Sequence, residues 1–162
     1  MSKLSVVVSV YNEEEVLDKF YDAATPVLAG MGDYELLFVN DGSRDSSMDI
    51  LRPLAEADPC VRVISFSRNF GHEAAMLAGV DYATGDYIVC MDADLQHPVT
   101  KLPEIYEKLK AGYDVVSMVR TSNKDAGLIK NITSAGFYAV ANSLADKNTR
   151  LEKNASDFFG IS

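Results

Sequence analysis

Basic residues are in short supply. Lys and Arg number 15 against 24 Asp and Glu, a formal charge of −9. A general nucleic-acid binder would show a basic face, so that class is set aside. An anionic ligand would need local help from backbone amides, a few cations or a metal. Cysteine is rarer still: Cys60 and Cys90 fall in different expected elements and form no CxxC pair. Both read as small buried hydrophobes, a usage that suits a reducing compartment. No run approaches the roughly 18 apolar residues of a membrane span. Met1-Ser2-Lys3 leads straight into a short alternating strand rather than a signal segment. Internal repeats and low-complexity segments are missing. So are GxGxxG, GxxxxGK[ST] and GxSxG, and His72 and His97 do not sit at zinc-ligand spacing. Any phosphate site must therefore do without a built-in glycine cradle.

What is present is an ordinary globular composition, 162 residues with 48% apolar and 24% charged, enough for one domain with one sizeable core. "LSVVVSV" (4–10), "YELLFVN" (34–40), "VRVISFS" (61–67), "DYIVCMD" (86–92) and "YDVVSMV" (113–119) read as strands. Asn12 with Glu15 has the form of a capping box ahead of Val16, Leu17, Phe20 and Ala24 at helical spacing, with Pro26 near the end of that helix. Further helices are expected from about Ser46 to Ala57, over the small residues of "GHEAAMLAGVDYATG", and over "TKLPEIYEKLKAG". After Arg120 the pattern weakens. "TSNKDAG" reads as a loop, 128–144 as a moderately amphipathic helix, and 145–162 as a tail that is polar until "DFFGIS".

Strands alternating with helices indicate βαβ units and a mainly parallel sheet, hence an α/β fold. In such sheets ligands bind outside the carboxyl ends of the strands. The polar groups that follow each strand are therefore expected to converge: Tyr11 and Asn12, Asn40 to Arg44, Ser67 to His72, and Asp92 to His97.

Asp92-Ala93-Asp94 ends the fourth strand. Residues i and i+2 of a strand share a face, so both carboxylates can aim at one site. Their repulsion is relieved by a hard divalent cation, Mg²⁺ or Mn²⁺, which completes its shell with water and substrate phosphates. The plain alternative is that Asp94 caps a turn before Pro98 and Asp92 is a solvated strand end. Asp41 suits a nucleobase or ribose contact, or an Asx-turn with Gly42 and Ser43. Arg68 and His72 suit a phosphate contact; the plain alternatives are a solvated Arg68 and a His72 that is a first-turn helix residue with no ligand.

Read together, the segments after the strands resemble the family 2 glycosyltransferases of the GT-A fold. "SVVVSVYNEEEVL" is similar to that family's opening strand and loop, "FVNDGSRDSS" to its nucleotide-binding segment, and "SRNFGHEAAMLAGVDYATGDYIVCMDADLQHP" to its central block. The "DADLQHP" and "NFG" forms resemble the polyprenyl-phosphate branch, which includes the dolichol-phosphate mannosyltransferases and bactoprenol glucosyltransferases. The likeness is strong over residues 4 to 121 and less sharp in "LIKNITSAGFYAVANSL" and "NASDFFGIS".

The resemblance implies an inverting transfer from a UDP- or GDP-linked sugar to a polyprenyl phosphate. In that frame Tyr11, Asn12, Glu13, Asp41 and Asp92 border the nucleotide. Asp92 and Asp94, with Gln96 beside them, hold Mg²⁺ or Mn²⁺. Asp157 stands near the sugar's reacting carbon as the catalytic acid residue, and Arg120 and Lys130 meet the acceptor phosphate. Lys130 replaces the arginine frequent in the family, which keeps the charge but loses the bidentate fork. "DFFGIS" departs from the commoner "DFRL" form, which removes one cation near Asp157. A sugar hydroxyl as acceptor, in polysaccharide or O-antigen assembly, would instead need a general base, with Asp157 the natural choice. A non-catalytic nucleotide-sugar binding module is the third reading. The expectation is one GT-A catalytic domain over 1–162, cut before C-terminal membrane or acceptor-binding elements. It implies a chain soluble by itself and a full-length protein at the cytoplasmic side of the membrane.

Overall fold

The computed structural model describes residues 2–119 and 155–162. Its strands are β1 (Leu4–Val10), β2 (Tyr34–Asn40), β3 (Val61–Ser65), β4 (Tyr87–Asp92), β5 (Val115–Val119) and β6 (Ala155–Ile161). Its helices are α1 (Leu17–Ala29), α2 (Ser47–Ala57), α3 (His72–Tyr82) and α4 (Leu102–Lys110), the last preceded by a 3-10 turn at Val99–Lys101. The strands form one sheet in the order β3-β2-β1-β4-β6-β5. β1 runs parallel to β2 and β4, β2 parallel to β3, and β6 antiparallel to β4. The expected α/β architecture is borne out. By contact the chain divides into a larger unit, Met1–Val116 with Asp157–Ser162, and a smaller one, Ser117–Ser156.

All seven residues of β1 are buried, as befits a strand with neighbours on both edges and helices over the sheet. Alternation along β2 sends its residues to opposite faces. Leu37 and Val39 join Val7, Ala75, Met76 and Cys90 in one cluster beneath α3. Phe38 points the other way and meets Phe20 of α1 edge to face, ring centres 6.0 Å apart. Small residues let α3 lie close to the sheet: a Cβ on Gly79 would overlap Val7 Cγ1. Cys90 is buried and Cys60 partly so, and both are free thiols. Burial alone pushes the Cys90 thiol up to about 12, so it is inert as a nucleophile.

At the amino ends of the strands a buried carboxylate ties four segments together. Glu35, 2% exposed, accepts hydrogen bonds from Ser5 Oγ, Arg62 Nη1, Thr84 N and Thr84 Oγ1, and Lys3 Nζ lies 3.7 Å away. Burial opposes ionisation of this group, but the bonds from Ser5, Arg62 and Thr84 outweigh it and hold Glu35 down at about 2.

The structure corrects several local readings. Asn12 and Glu15 form no capping box. α1 begins at Leu17 after Val16 without a side-chain cap, and it passes through Pro26 to Ala29. Asn12 takes a left-handed φ of 57°, and its side chain reaches across to another loop. β3 stops at Ser65, two residues before the apolar run ends. The end of the tail is a strand, β6. Arg120, Lys130 and the helix expected over 128–144 lie outside the described residues.

Candidate active site

The strand order reverses direction between β1 and β4: β2 and β3 follow β1 to one side, and β4 starts again on the other. That crevice is the switch point at which open α/β sheets bind ligands. Three loops above it are laced together, as the convergence of polar groups anticipated. Asn12 N donates to Ser43 Oγ at 3.0 Å, and Asn12 Oδ1 accepts the Arg44 N–H at 2.9 Å. Glu13 N donates to Ser47 Oγ at 3.0 Å and Glu14 N to Asp45 Oδ2 at 3.1 Å. Glu14 in return accepts the Ser46 N–H at 2.7 Å. Asp41, 2% exposed, accepts the Phe70 and Gly71 N–H groups at 2.7 and 3.0 Å. Its carboxylate thus ties the loop after β2 to the loop after β3. Past the ends of these two strands opens a cleft of about 370 Å³, lined by Asn40, Ser43, Arg44, Ser65 and Arg68 among others. Tyr11, 42% exposed, stands on the loop after β1.

The parallel register sets Ser9 beside Asp92. Ser9 Oγ donates to Asp92 Oδ1 at 2.6 Å, and His72 Nδ1, at the start of α3, lies 3.0 Å from the same hydroxyl. Beyond Asp92 the chain buries Ala93 and leaves Asp94 half-buried. Asp94 Oδ1 accepts the Gln96 N–H at 2.9 Å, while Leu95 between them adopts a φ of 59°. A left-handed branched-chain residue is uncommon and costs of the order of 1 kcal/mol or more, and such strain gathers at ligand sites. Gln96 is exposed beside Asp94.

Glu13 shares the electrostatic field of this pair. Its carboxyl is pushed up by partial burial first, then by the negative charges of Asp94, Asp92 and Asp45. Among the described residues no group of three or more His, Cys, Asp or Glu side chains is arranged to hold a metal by itself. The donor set present still fits a hard cation shared with a ligand. Asp92 and Asp94 each commit Oδ1 to a neighbour, and Oδ2 of each accepts no hydrogen bond among the described residues. Two carboxylate oxygens in an acidic field suit Mg²⁺ or Mn²⁺ completed by water and phosphate.

Sequence reasoning placed His97 among the converging polar groups but gave it no role. It is 4% exposed, its ring stacks on Phe158 of β6 with centres 5.3 Å apart, and its Nδ1 lies 3.5 Å from the Asp92 backbone N. The stack links β6 to the loop that follows Asp92 and carries Asp94. Asp157 precedes Phe158 in β6. Ser9 went unnoticed, because one polar residue in an alternating strand reads as nothing more.

The whole frame matches a family model for glycosyl transferase family 2 over residues 5–159. The chain belongs to glycosyl transferase family 2. The chain is 49% identical over 143 residues to the uncharacterised glycosyltransferase YkcC of Bacillus subtilis, covering 88% of this chain and 44% of that one. It is 41% identical over 158 residues to a prophage bactoprenol glucosyl transferase homologue of Escherichia coli, covering 96% of this chain and 51% of that one. The chain thus spans about half the length of the curated relatives it matches. Among solved structures, glucosyl-3-phosphoglycerate synthase from Mycobacterium tuberculosis, in complex with Mn²⁺, UDP-glucose and phosphoglyceric acid, superimposes with a TM-score of 0.72 at 21% identity. That match covers 99% of this chain and 57% of the other, and it shows the GT-A fold. Among the described residues no helix is long and apolar enough to cross a membrane.

Proposed function

We propose that this glycosyltransferase moves a sugar, with inversion, from a nucleotide-diphosphate donor to a polyprenyl phosphate. The observation that carries the reading is the pair Asp92 and Asp94, set with Glu13 at the switch point of a family 2 sheet. The likeness to a bactoprenol glucosyl transferase homologue over 96% of the chain supports the lipid acceptor, and UDP-glucose is the first donor to test. Mn²⁺ accompanies UDP-glucose in the structural neighbour. A divalent cation bound through Asp92 and Asp94, with Gln96 beside them, would supply charge stabilisation to the departing diphosphate.

The chain's own residues do the rest. Tyr11, Asn12, Glu13 and Asp41 border the nucleotide, with the cleft past β2 and β3 open to its base. Asn12 and Asp41 act mainly by holding the loops, since their side chains are engaged with backbone N–H groups. Continuing the antiparallel register from Cys90↔Phe159, Asp157 falls opposite Asp92, which supports its assignment beside the reacting carbon. A lipid phosphate is anionic at pH 7 and needs no deprotonation, so Asp157 would orient the donor rather than take a proton. Arg120 and Lys130 would meet the acceptor's charge.

The test is transfer of radiolabelled glucose from UDP-glucose, and mannose from GDP-mannose, with Mn²⁺ or Mg²⁺. Undecaprenyl phosphate and oligosaccharides are compared as acceptors. Label in the lipid fraction, abolished by Asp157→Asn with nucleotide binding kept, is the expected result. Label on oligosaccharide alone would replace the lipid acceptor by a hydroxyl. Nucleotide binding without hydrolysis or transfer would leave only a binding module.

A further inference from the structure

We propose that Ser9 is a positioning residue for Asp92, holding that carboxylate in the orientation in which the site uses it. The inference rests on the reading of Asp92 and Asp94 as the cation-binding end of the donor site.

Ser9 and Asp92 are register partners on adjacent parallel strands, so their side chains leave the sheet on the same face. A hydroxyl has one proton to give. At 2.6 Å from Asp92 Oδ1, within the range of a charge-assisted O–H···O⁻ bond, that proton goes to the carboxylate. His72 Nδ1, 3.0 Å from Ser9 Oγ, then faces an oxygen lone pair and must itself be the donor. Nδ1 therefore carries hydrogen whether the ring is neutral or charged. The same nitrogen is 3.4 Å from Asp92 Oδ1.

The result is a fixed chain of donors, His72 to Ser9 to Asp92, that ends on Oδ1. It leaves Oδ2 as the oxygen available to a ligand. The Ser9 side chain has little freedom to do otherwise, for the residue is 9% exposed within a strand buried along its length. Carboxylates that bind metal are commonly held by such neighbours, and losing the neighbour costs roughly 10- to 100-fold in metal affinity.

The test titrates Mn²⁺ into the chain with saturating UDP or GDP, following free Mn²⁺ by electron paramagnetic resonance at fixed pH. Asp94→Asn probes the site reading and is expected to abolish nucleotide-dependent Mn²⁺ binding. Ser9→Ala removes one oxygen from a well-packed strand and is expected to weaken Mn²⁺ at least tenfold, with an unchanged circular dichroism spectrum. Ser9→Thr, which keeps the hydroxyl on a strand-favouring residue, is expected to recover most of the loss. If Asp94→Asn abolishes binding but Ser9→Ala leaves it unchanged, the positioning role is wrong and the cation site stands. Equal weakening in Ser9→Ala and Ser9→Thr would assign the effect to packing and also overturn it. If Asp94→Asn binds as the wild type does, or neither nucleotide recruits Mn²⁺ to the wild type, the site reading itself fails.

Discussion

Asp41 holds Gly71 across 30 positions of sequence, its Oδ2 accepting the glycine N–H at 3.0 Å. Its other oxygen takes the Phe70 N–H, so one buried carboxylate fixes the entry to α3. Hydrogen bonds to a charged group contribute roughly 1.5–3 kcal/mol each. Asp41→Ala strands both donors and is expected to destabilise the chain by about 3 kcal/mol in urea denaturation. Asp41→Asn, which turns an amide N–H toward one of them, should cost about 2 kcal/mol. Both variants should also bind nucleotide more weakly, because the loop after β3 borders the cleft.

Gly42, the next residue, cannot be replaced cheaply. Its φ is 64°, and a Cβ there would lie 2.6 Å from Asn69 N and overlap the Arg68 backbone. Gly42→Ala therefore combines a disfavoured backbone conformation with a clash that only a main-chain shift relieves. A loss of about 2–3 kcal/mol is expected. Faster amide exchange confined to the 66–71 loop would show where the shift occurs.

Asp94→Asn keeps the shape of the side chain and removes its charge. In a thermal-shift experiment with UDP or GDP, the increase in Tm that depends on Mn²⁺ should disappear. Any increase seen with nucleotide alone should persist. An unchanged metal-dependent shift would contradict the cation assignment.

Glu35 makes stability depend on pH. Its folded value, about 2, lies below the ordinary 4.5, so the native state prefers the charged form. The contribution is present above about pH 4.5 and is lost as pH falls through the folded value. A shift of this size corresponds to about 3 kcal/mol, the integrated difference between the two states. Urea denaturation of the wild type should show stability falling between about pH 4.5 and 2. In Glu35→Gln that part of the slope should be missing, at the cost of lower stability at pH 7.

Much of this arrangement was legible in the residues. β1 and β2 begin and end where their apolar runs do, at Leu4–Val10 and Tyr34–Asn40. The rule for parallel sheets places Asn12, Asp41, His72 and Asp92 at one end of the sheet from the sequence alone. What escaped was decided by partners distant in sequence. Asn12 looked like a helix cap because a local hydrogen bond is the default for its side chain. In the fold the Arg44 N–H, 32 positions away, captures it instead. Asp41 read as a base or ribose contact or as an Asx-turn, and neither reading foresaw the two backbone donors of another loop that it accepts. β6 was hidden because "ASDFFGI" lacks clean alternation, and its pairing with β4 is formed only by tertiary contact. His97 was judged by its spacing to His72, whereas its role follows from the ring of Phe158.

The Glu35 cluster has a consequence for redesign of the proposed donor site. It anchors β1, β2, β3 and the approach to β4 at the rim of the sheet opposite Asp92 and Asp94. Part of the sheet's cohesion is thereby secured at the end of the strands away from the proposed site. Tyr11, Arg44 and Arg68, whose side chains take no part in the loop-to-loop hydrogen bonds among the described residues, can be varied as a library with the far rim left intact, and variants that lose nucleotide binding should still fold.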